Sequence, residues 1–258
     1  VIERYGGSIN EFIGDAILSV FGAPIALEDA AARAVACAVA MQRAMVEVNA
    51  ACAAHGLPAL EMGIGVHTGE VIVGNIGSKK RAKYGLVGRN VNLASRVETY
   101  TVGGQVLISA ATADELGDLL DLRATFRVRP KGFRDELVIH EVAGLRGPHA
   151  IALDLHVDEP APLPAPVPVR LTILEGKDVS GPGEDALLTA IGEATACLRT
   201  TAALEPLTNL KIDAPGLEGL DLYAKVLAID APGEARIRFA PAPPGLAAAL
   251  RQAVRPRE

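Results

Sequence analysis

The pattern of apolar and polar positions changes part-way along the chain. In the first part, short apolar runs bounded by turn residues predict strands, whereas an Ala-rich segment without Gly or Pro predicts a long helix. We predict strands at residues 8–13, 17–20, 62–67, 71–73, 84–87, 105–109, 122–128 and 137–142, and helices at 28–54, 90–100 and 111–119. This mixture, with several hairpin-like pairs, predicts an α+β fold with a mostly antiparallel sheet and flanking helices.

The second part has the pattern of a β domain. Residues 220–229 and 235–239 alternate between apolar and polar across Asp230-Ala-Pro-Gly233, which predicts a hairpin with one buried face. We predict further strands at residues 169–174, 186–191, 194–200 and 208–212, and a terminal helix at 246–254. The second part is therefore expected to be a small, mostly-β barrel.

Proline occurs at every second or third position between residues 158 and 168. Proline fixes the backbone in an extended conformation and donates no hydrogen bond, so this stretch predicts an interdomain linker. We accordingly divide the chain into a domain at 1–145, a linker at 146–168 and a second domain at 169–258.

Composition and charge narrow the range of functions. Half of the 258 residues are hydrophobic, which is enough for a packed core. The net charge of −6 and the aromatic content of 3% argue against nucleic-acid binding, which needs cations and stacking surfaces. Three cysteines without metal-ligand spacing indicate a reducing compartment. No apolar run is long enough to span a membrane, so we expect a cytoplasmic protein, with attachment through sequence upstream of residue 1 as the alternative.

Three strings in the first part combine glycines with polar residues that chemistry uses. They are Phe12-Ile-Gly-Asp-Ala-Ile-Leu-Ser-Val-Phe-Gly-Ala-Pro24, Gly65-Val-His-Thr-Gly-Glu-Val-Ile-Val-Gly-Asn-Ile-Gly77 and Tyr84-Gly-Leu-Val-Gly-Arg-Asn-Val-Asn-Leu-Ala-Ser-Arg-Val-Glu98. In this order and spacing they resemble the catalytic domain of the class III nucleotide cyclases, the adenylyl and guanylyl cyclase family. The resemblance covers residues 1–145 and implies an enzyme that converts a nucleoside triphosphate to a 3′,5′-cyclic nucleotide and pyrophosphate in intracellular signalling.

Asp15 follows Gly14 at a turn between two predicted strands, so its carboxylate projects from a rigid edge and suits a hard divalent cation. The resemblance implies that Asp15 is one of two aspartates that hold Mg²⁺ or Mn²⁺, with two ions in the complete domain. An aspartate bonded to its own turn is the plainer alternative. The resemblance assigns the second aspartate to a Phe-x-Asp-Ile-like strand upstream of Val1. We therefore expect this chain to lack its N-terminal strand and to be inactive alone.

Asn92 and Arg96 are four residues apart on a predicted helix and so share one face. In cyclisation the ribose 3′-oxygen attacks the α-phosphorus, and fixed donors near the phosphoryl oxygens lower the barrier. The resemblance implies that Asn92 orients the ribose and that Arg96 stabilises the phosphate. A solvated helix face is the alternative.

In the cyclase family that this chain resembles, two positions select the base of the nucleotide substrate. The resemblance assigns Glu11 and Gly85 to these positions. Guanylyl cyclases carry Glu at the first position and adenylyl cyclases commonly carry Lys. A carboxylate accepts hydrogen bonds from guanine N1–H and its 2-amino group, whereas adenine N1 needs a donor. Gly85 supplies no side chain and favours neither base. We therefore expect GTP rather than ATP as the substrate, with a solvent-facing Glu11 as the plainer alternative.

Lys131, in Pro-Lys-Gly, matches a lysine near the end of the family's domain that reaches the β- and γ-phosphates. It could equally be a surface lysine, and Arg129 and Arg134 lie close enough in sequence to confuse the assignment. Arg89 departs from the family, which commonly has Asp there. That aspartate is not one of the metal pair, so its replacement need not abolish activity.

The family forms each active site between two catalytic domains. The resemblance therefore implies a homodimer in which Asp15 of one protomer faces Glu11, Gly85, Asn92 and Arg96 of its partner, with residues 74–84 as the arm that embraces the partner. The alternative function is an inactive cyclase-like module for dimerisation or nucleotide sensing.

The second part contains the strings Leu207-Thr-Asn-Leu-Lys-Ile212, Leu222-Tyr-Ala-Lys-Val226 and Ile237-Arg-Phe239. With these strings, residues 169–255 resemble the PilZ β-barrel. PilZ domains that bind cyclic di-GMP use an Arg-x-x-x-Arg pair and an Asp-x-Ser-x-x-Gly turn. The turn pattern is present at Asp178-Val-Ser-Gly-Pro-Gly183, but no Arg-x-x-x-Arg accompanies it. We expect a degenerate PilZ-like barrel that does not bind cyclic di-GMP.

Overall fold

The computed structural model divides the chain into two compact units, Val1–Leu155 and His156–Glu258. Each unit is described separately below. The residues that the structure describes are 1–78, 81–129, 136–154, 158–175, 178–179, 183–214, 222–240, 242–243 and 245–253.

The first unit contains three helices and nine strands among these residues. The helices are α1 (Ala30–Ala54), α2 (Arg89–Thr99) and α3 (Ala110–Leu116). The strands are β1 (Ser8–Ile13), β2 (Ala16–Val20), β3 (Ile64–Val66), β4 (Ile72–Ser78), β5 (Arg81–Val87), β6 (Val106–Ser109), β7 (Leu120–Val128), β8 (Leu137–Leu145) and β9 (Ile151–Ala152). The predicted α+β class is confirmed, and the predicted elements of this unit correspond to observed ones.

The main sheet of the first unit has the strand order β3-β6-β8-β7, with β9 beside β8. Strands β3 and β6 are parallel, and the other pairs are antiparallel. Strands β1–β2 and β4–β5 form two further antiparallel hairpins. Helix α1 packs on the main sheet because its fully buried Val35 and Val39 join Val106, Ile108 and Val142 in one core. Its many alanines let the helix approach the sheet closely while keeping high helix propensity.

The second unit is a closed β-barrel with one helix, as predicted. Its strands are β10 (Ala161–Glu175), β11 (Asp178–Val179), β12 (Glu184–Ile191), β13 (Thr195–Thr200), β14 (Asn209–Asp213), β15 (Leu222–Ala231) and β16 (Glu234–Phe239), and its helix is α4 (Leu246–Ala253). Six strands follow the order β10-β12-β13-β16-β15-β14, and pairing of β14 with β10 closes the ring. Apolar residues at every second position fill the interior, among them the fully buried Leu188, Leu210, Ile237 and Phe239.

The predicted linker over residues 146–168 is wrong. Strand β9 pairs with β8 and belongs to the first unit, and residues 161–168 form the first half of β10. Within that half, prolines take the exposed alternate positions, whereas Leu163 and Val167 point into the barrel core. Pairing with β12 shifts register between Pro162 and Val167, which is where a strand tolerates residues without an N–H donor.

Candidate functional site

Asp15 lies at the tip of the β1–β2 hairpin. Ile13 and Ala16 pair across the two strands, so Gly14 and Asp15 form the turn between them. Gly14 has a φ of 64°, in the left-handed region that glycine adopts without strain. Asp15 is exposed. The turn therefore holds a carboxylate in solvent at the end of a rigid element, as the sequence predicts.

Asp15 has the donor chemistry of a Mg²⁺ or Mn²⁺ ligand, because both ions prefer carboxylate oxygens. Across the part of the chain that the structure describes, however, no group of three or more His, Cys, Asp or Glu side chains could hold a metal ion. Asp15 thus has the chemistry of one metal ligand, and a complete site would need further ligands from substrate, water or other carboxylates.

Glu11 lies on β1, four residues before Asp15, and contacts the neighbouring hairpin. The ammonium Nζ of Lys83 on β5 donates a hydrogen bond to Oε1 of Glu11. The side chains of Lys83 and Glu11 are 59% and 39% exposed, so the pair remains open to a ligand. Sequence reasoning missed Lys83, which is 72 residues from Glu11 in sequence. The sequence does contain one indication of Lys83. It lies two residues before Gly85 on the same strand, so the two residues are on the same face.

Gly85 is buried on β5, opposite Gly74 on β4. A Cβ atom at Gly85 would lie 3.8 Å from Cδ1 of Ile76 and 4.0 Å from Oδ1 of Asn10, the neighbour of Glu11. Both distances are ordinary van der Waals contacts. The structure therefore brings the two predicted base-selecting positions, Glu11 and Gly85, to adjacent strands of adjoining hairpins, with space left where a side chain would be.

Asn92 and Arg96 lie one turn apart on α2, and both are exposed. The opposite side of α2 carries the fully buried Val97. Burial raises the pKa of the Tyr100 hydroxyl just beyond the helix, and the positive charge of Arg96 opposes part of that rise. Arg96 is thus close enough to Tyr100 for their charges to interact. The predicted shared face of Asn92 and Arg96 is present and open to solvent.

The other predicted site residues are placed only in part. Lys131 and Arg134 lie outside the described residues, and Arg129 is exposed just after β7. Arg89 is the first residue of α2, after Gly88. The predicted arm over residues 74–84 corresponds to most of the β4–β5 hairpin, although Lys79 and Lys80 at its tip are not described.

Both hairpins expose large apolar side chains near these positions. On β1 and β2, Phe12, Ile13 and Ile17 are 66%, 57% and 43% exposed, and on β4 Ile72 is 69% exposed. An apolar surface of this kind beside polar functional groups is typical of a protein interface. No helix in the described part of the chain is both long and apolar enough to cross a bilayer.

The fold and these positions define a class of protein. The sequence of residues 2–141 matches the family model of the adenylate and guanylate cyclase catalytic domain. The chain therefore belongs to that family. The matched region ends before the barrel, so the likeness of the second unit to the PilZ domain stays a prediction.

Particular relatives agree with this assignment. The guanylyl cyclase Cya2, known from a crystal structure, has 53% sequence identity to this chain. The two structures match with a TM-score of 0.57 over 59% of this chain and 77% of Cya2. The adenylyl cyclase CyaB from P. aeruginosa is 33% identical, with a TM-score of 0.52 over 56% of this chain and 75% of that one. Adenylate cyclase 1 of Rhizobium meliloti is 35% identical over 147 residues, 56% of this chain. The matched part spans only 22% of the length of that last relative.

Proposed function

We propose that the first unit is the catalytic domain of a nucleotide cyclase that converts GTP to cyclic GMP and pyrophosphate. The observation that carries this proposal is the exposed pair Asn92 and Arg96 on α2, in a chain of the cyclase family whose hairpin turn presents Asp15. The cysteines are free, and we place the reaction in the cytoplasm, where nucleoside triphosphates are available.

Four residues of the chain account for the chemistry in this proposal. Arg96 donates to the phosphoryl oxygens on which negative charge grows as the ribose 3′-oxygen attacks the α-phosphorus, and so lowers the barrier. Asn92, one turn away, hydrogen bonds to the ribose and orients its 3′-oxygen. Asp15 would hold Mg²⁺ or Mn²⁺, which neutralises charge on the triphosphate when bound. Lys131 would reach the β- and γ-phosphates as a point charge.

Glu11 supports guanine as the base. Its carboxylate accepts hydrogen bonds from N1–H and the 2-amino group of guanine, and adenine offers no such pair of donors on that edge. The Lys83 ammonium donates to Oε1 of Glu11 and so restrains the orientation of the carboxylate. The higher identity to a guanylyl cyclase (53%) than to an adenylyl cyclase (33%) also favours GTP. ATP is the second candidate, because relatives named adenylate cyclase are 35% and 33% identical to this chain.

The active enzyme is a homodimer in this proposal. Two copies would cover the apolar side chains that the β1–β2 and β4–β5 hairpins expose. Asp15 of one protomer would then face Glu11, Gly85, Asn92 and Arg96 of its partner, and two-fold symmetry would generate two equivalent sites.

An inactive dimerisation or nucleotide-sensing module is the alternative function. One observation favours it: Arg89, the first residue of α2, stands where the family commonly has Asp.

The first experiment measures product formation from GTP and from ATP, with Mn²⁺, by the protein at its natural length. We expect cyclic GMP, and Asp15→Asn should lower its formation by at least about a hundredfold because the ion loses its ligand. Asp118→Asn, at another exposed aspartate of the same unit, is the matched control and should retain activity. A folded dimer that binds GTP without turnover would support the sensing module instead.

A second pair of variants tests the choice of base. Glu11→Lys replaces an acceptor with a donor and should lower the ratio of GTP to ATP turnover by about a hundredfold or more. Lys83→Met removes the contact to Glu11 and should lower the same ratio by about tenfold. If neither variant changes the ratio, Glu11 does not contact the base.

A further inference from the structure

The string Gly65-Val-His-Thr-Gly69, at the end of β3 and the start of the following loop, packs against α2. A Cβ atom at Gly65 would lie 2.3 Å from the backbone nitrogen of Glu98, and one at Gly69 would lie 2.5 Å from Nδ2 of Asn90. A Cβ at Gly65 would therefore collide with the backbone of α2, and a Cβ at Gly69 would displace the side chain of Asn90. This contact surface lies under the helix that carries Asn92 and Arg96.

His67 lies between the two glycines and joins three elements. Its Nδ1 is 2.7 Å from Oγ of Ser109 at the end of β6, and its Nε2 is 3.2 Å from Oδ1 of Asn90 in the first turn of α2. An amide oxygen can only accept, so Nε2 carries the hydrogen and Nδ1 accepts from the Ser109 hydroxyl. Burial lowers the pKa of His67, and the hydrogen bond to Asn90 opposes this in part. The neutral imidazole therefore acts as a fixed bridge.

Each side of the bridge is itself anchored. Asn90 Nδ2 donates to the carbonyl oxygen of Glu70 at 2.8 Å. Ser109 is the N-cap of α3 and accepts from the Thr112 backbone N–H at 3.4 Å, while the hydroxyl of Thr68 donates to that of Thr112 at 3.1 Å. His67 thus connects the start of α2 to the start of α3 through a network whose members are all constrained.

The first turn of helix α2 is contacted by side chains and backbone from outside the helix. Its N-cap residue is Gly88, which makes no side-chain capping hydrogen bond. The first four N–H groups of a helix have no partner within the helix, so contacts from outside help to fix its first turn. Asn90, held by His67 and by the Glu70 carbonyl, fixes that turn from outside the helix.

We propose that His67 is a positioning residue of the cyclase site: by holding Asn90 it fixes the rotation of α2 and therefore the directions of Asn92 and Arg96. This proposal rests on the proposed function. His67 acts through Asn90 and touches neither substrate nor metal. This role matters because the rate of phosphoryl transfer depends on where the hydrogen-bond donors lie. A displacement of a catalytic group by about 1 Å can lower the rate by about a hundredfold.

Two substitutions separate the two halves of the bridge. In His67→Gln the side-chain amide nitrogen reaches the position of Nε2 and can donate to Asn90, whereas the bond to Ser109 is lost. In His67→Asn the side-chain amide ends near the position of Nδ1, so the Ser109 side is kept and the bond to Asn90 is lost. We expect kcat for GTP to fall about tenfold to a hundredfold in His67→Asn with little change in KM, and about threefold or less in His67→Gln. Equal losses in the two variants would overturn the proposal.

Amide hydrogen exchange without nucleotide provides a readout that does not depend on activity. The amides of residues 93–96 donate to the carbonyls of the first turn of α2. Their exchange should be faster in His67→Asn than in His67→Gln, while the two variants have similar melting temperatures. Equal exchange in both variants would contradict the positioning role. If the unsubstituted protein makes no cyclic nucleotide, the cyclase proposal fails, but the exchange experiment still decides whether His67 holds α2.

A double-mutant cycle tests whether His67 acts through Asn90. Adding Asn90→Ala to His67→Asn should lower kcat no further than the larger of the two single losses, because both remove the same contact. Multiplied losses would show that His67 acts by another route and would overturn the proposal.

Discussion

The barrel of the second unit and the β1–β2 and β4–β5 hairpins of the first unit place apolar strand residues in opposite ways. In the barrel, β-sheet closure pairs the edges, and Ile237 and Phe239 are fully buried inside it. In the hairpins, Phe12, Ile13 and Ile72 are more than half exposed. The barrel completes its core from its own strands, whereas the hairpins leave apolar surface exposed, as the proposed dimer contact requires.

This difference separates stability from function. Changes inside the barrel should affect folding and leave the chemistry alone, because the proposed site lies wholly in the other unit. Changes on the hairpins and on the exposed face of α2 should affect association and turnover with little effect on folding. Three predictions test that separation, and a fourth concerns a charged contact elsewhere in the first unit.

Ile237→Ala should produce the largest effect on stability. Ile237 is fully buried on β16, so the cavity left by the missing methyl groups should lower the free energy of unfolding of the barrel by about 2–5 kcal/mol. Ile229→Ala on β15 is the matched control, since Ile229 is 40% exposed, and should change stability by no more than about 0.5 kcal/mol. Calorimetry of the full chain checks both, and similar losses would break the comparison.

Arg96→Ala should lower kcat by about 10²–10³-fold, because one fixed donor to the developing phosphoryl charge is lost. The exposed position of Arg96 predicts an unchanged melting temperature. Arg43→Ala, at an exposed arginine on α1, is the control and should retain full turnover. A steady-state assay with GTP measures the effect, and a fall in melting temperature that matches the loss of activity would assign Arg96 a structural role instead.

Phe12→Ser should weaken dimerisation with no loss of protomer stability. Withdrawing a buried phenyl ring from an interface costs about 1.5–3 kcal/mol, which corresponds to a rise of about tenfold to a hundredfold in the dimer dissociation constant. Val46→Ser on α1 is the control, because Val46 is 75% exposed but lies away from the hairpins. Sedimentation equilibrium measures both constants. Equal effects of the two substitutions would place the interface elsewhere.

The smallest effect concerns Asp29, before α1. Hydrogen bonds from Arg33 and then from His149 lower the pKa of Asp29 from 3.8 to about 2. A carboxyl with a lowered pKa in the folded state stabilises the fold above pH 3.8, and this contribution is lost as the pH falls through about 2. The Asp29→Asn variant should therefore melt slightly below the parent protein at pH 5, and the gap should narrow as the pH falls to 2. Thermal scans at low salt measure the difference, and a gap as wide at pH 2 as at pH 5 would contradict this account.

Local patterns predicted most of the fold. The helix expected at 28–54 is observed as α1 (Ala30–Ala54), and the strand expected at 8–13 coincides with β1, because helix propensity and apolar periodicity act within a few neighbouring residues. The sequence predicts a linker over the first half of β10 because prolines are a strong signal for extended, unpaired chain. The weaker signal was the spacing of Leu163 and Val167, which puts both on the buried face of a strand. That pattern is meaningful only once β12 lies beside it.

The candidate site was predicted less completely for a related reason. Asp15, Asn92 and Arg96 belong to compact strings, so their local settings are visible in the sequence. The contact of Lys83 with Glu11 and that of His67 with Ser109 join residues 72 and 42 positions apart. Such pairs depend on how strands and helices pack. The sequence shows that Lys83 shares a strand face with Gly85, but it does not show which residue Lys83 contacts.

The prolines at the start of β10 should also oppose aggregation. Residues 161–162 and 167–168 pair with β12, and the described pairing with β14 begins only at Arg170. A strand with an open edge can recruit an extended segment from another molecule and begin a cross-β assembly. Proline has no N–H to offer such a segment, and Pro162, Pro164, Pro166 and Pro168 occupy alternate exposed positions along this stretch. The barrel can therefore present a long extended strand without offering other chains a complete row of donors on which to grow.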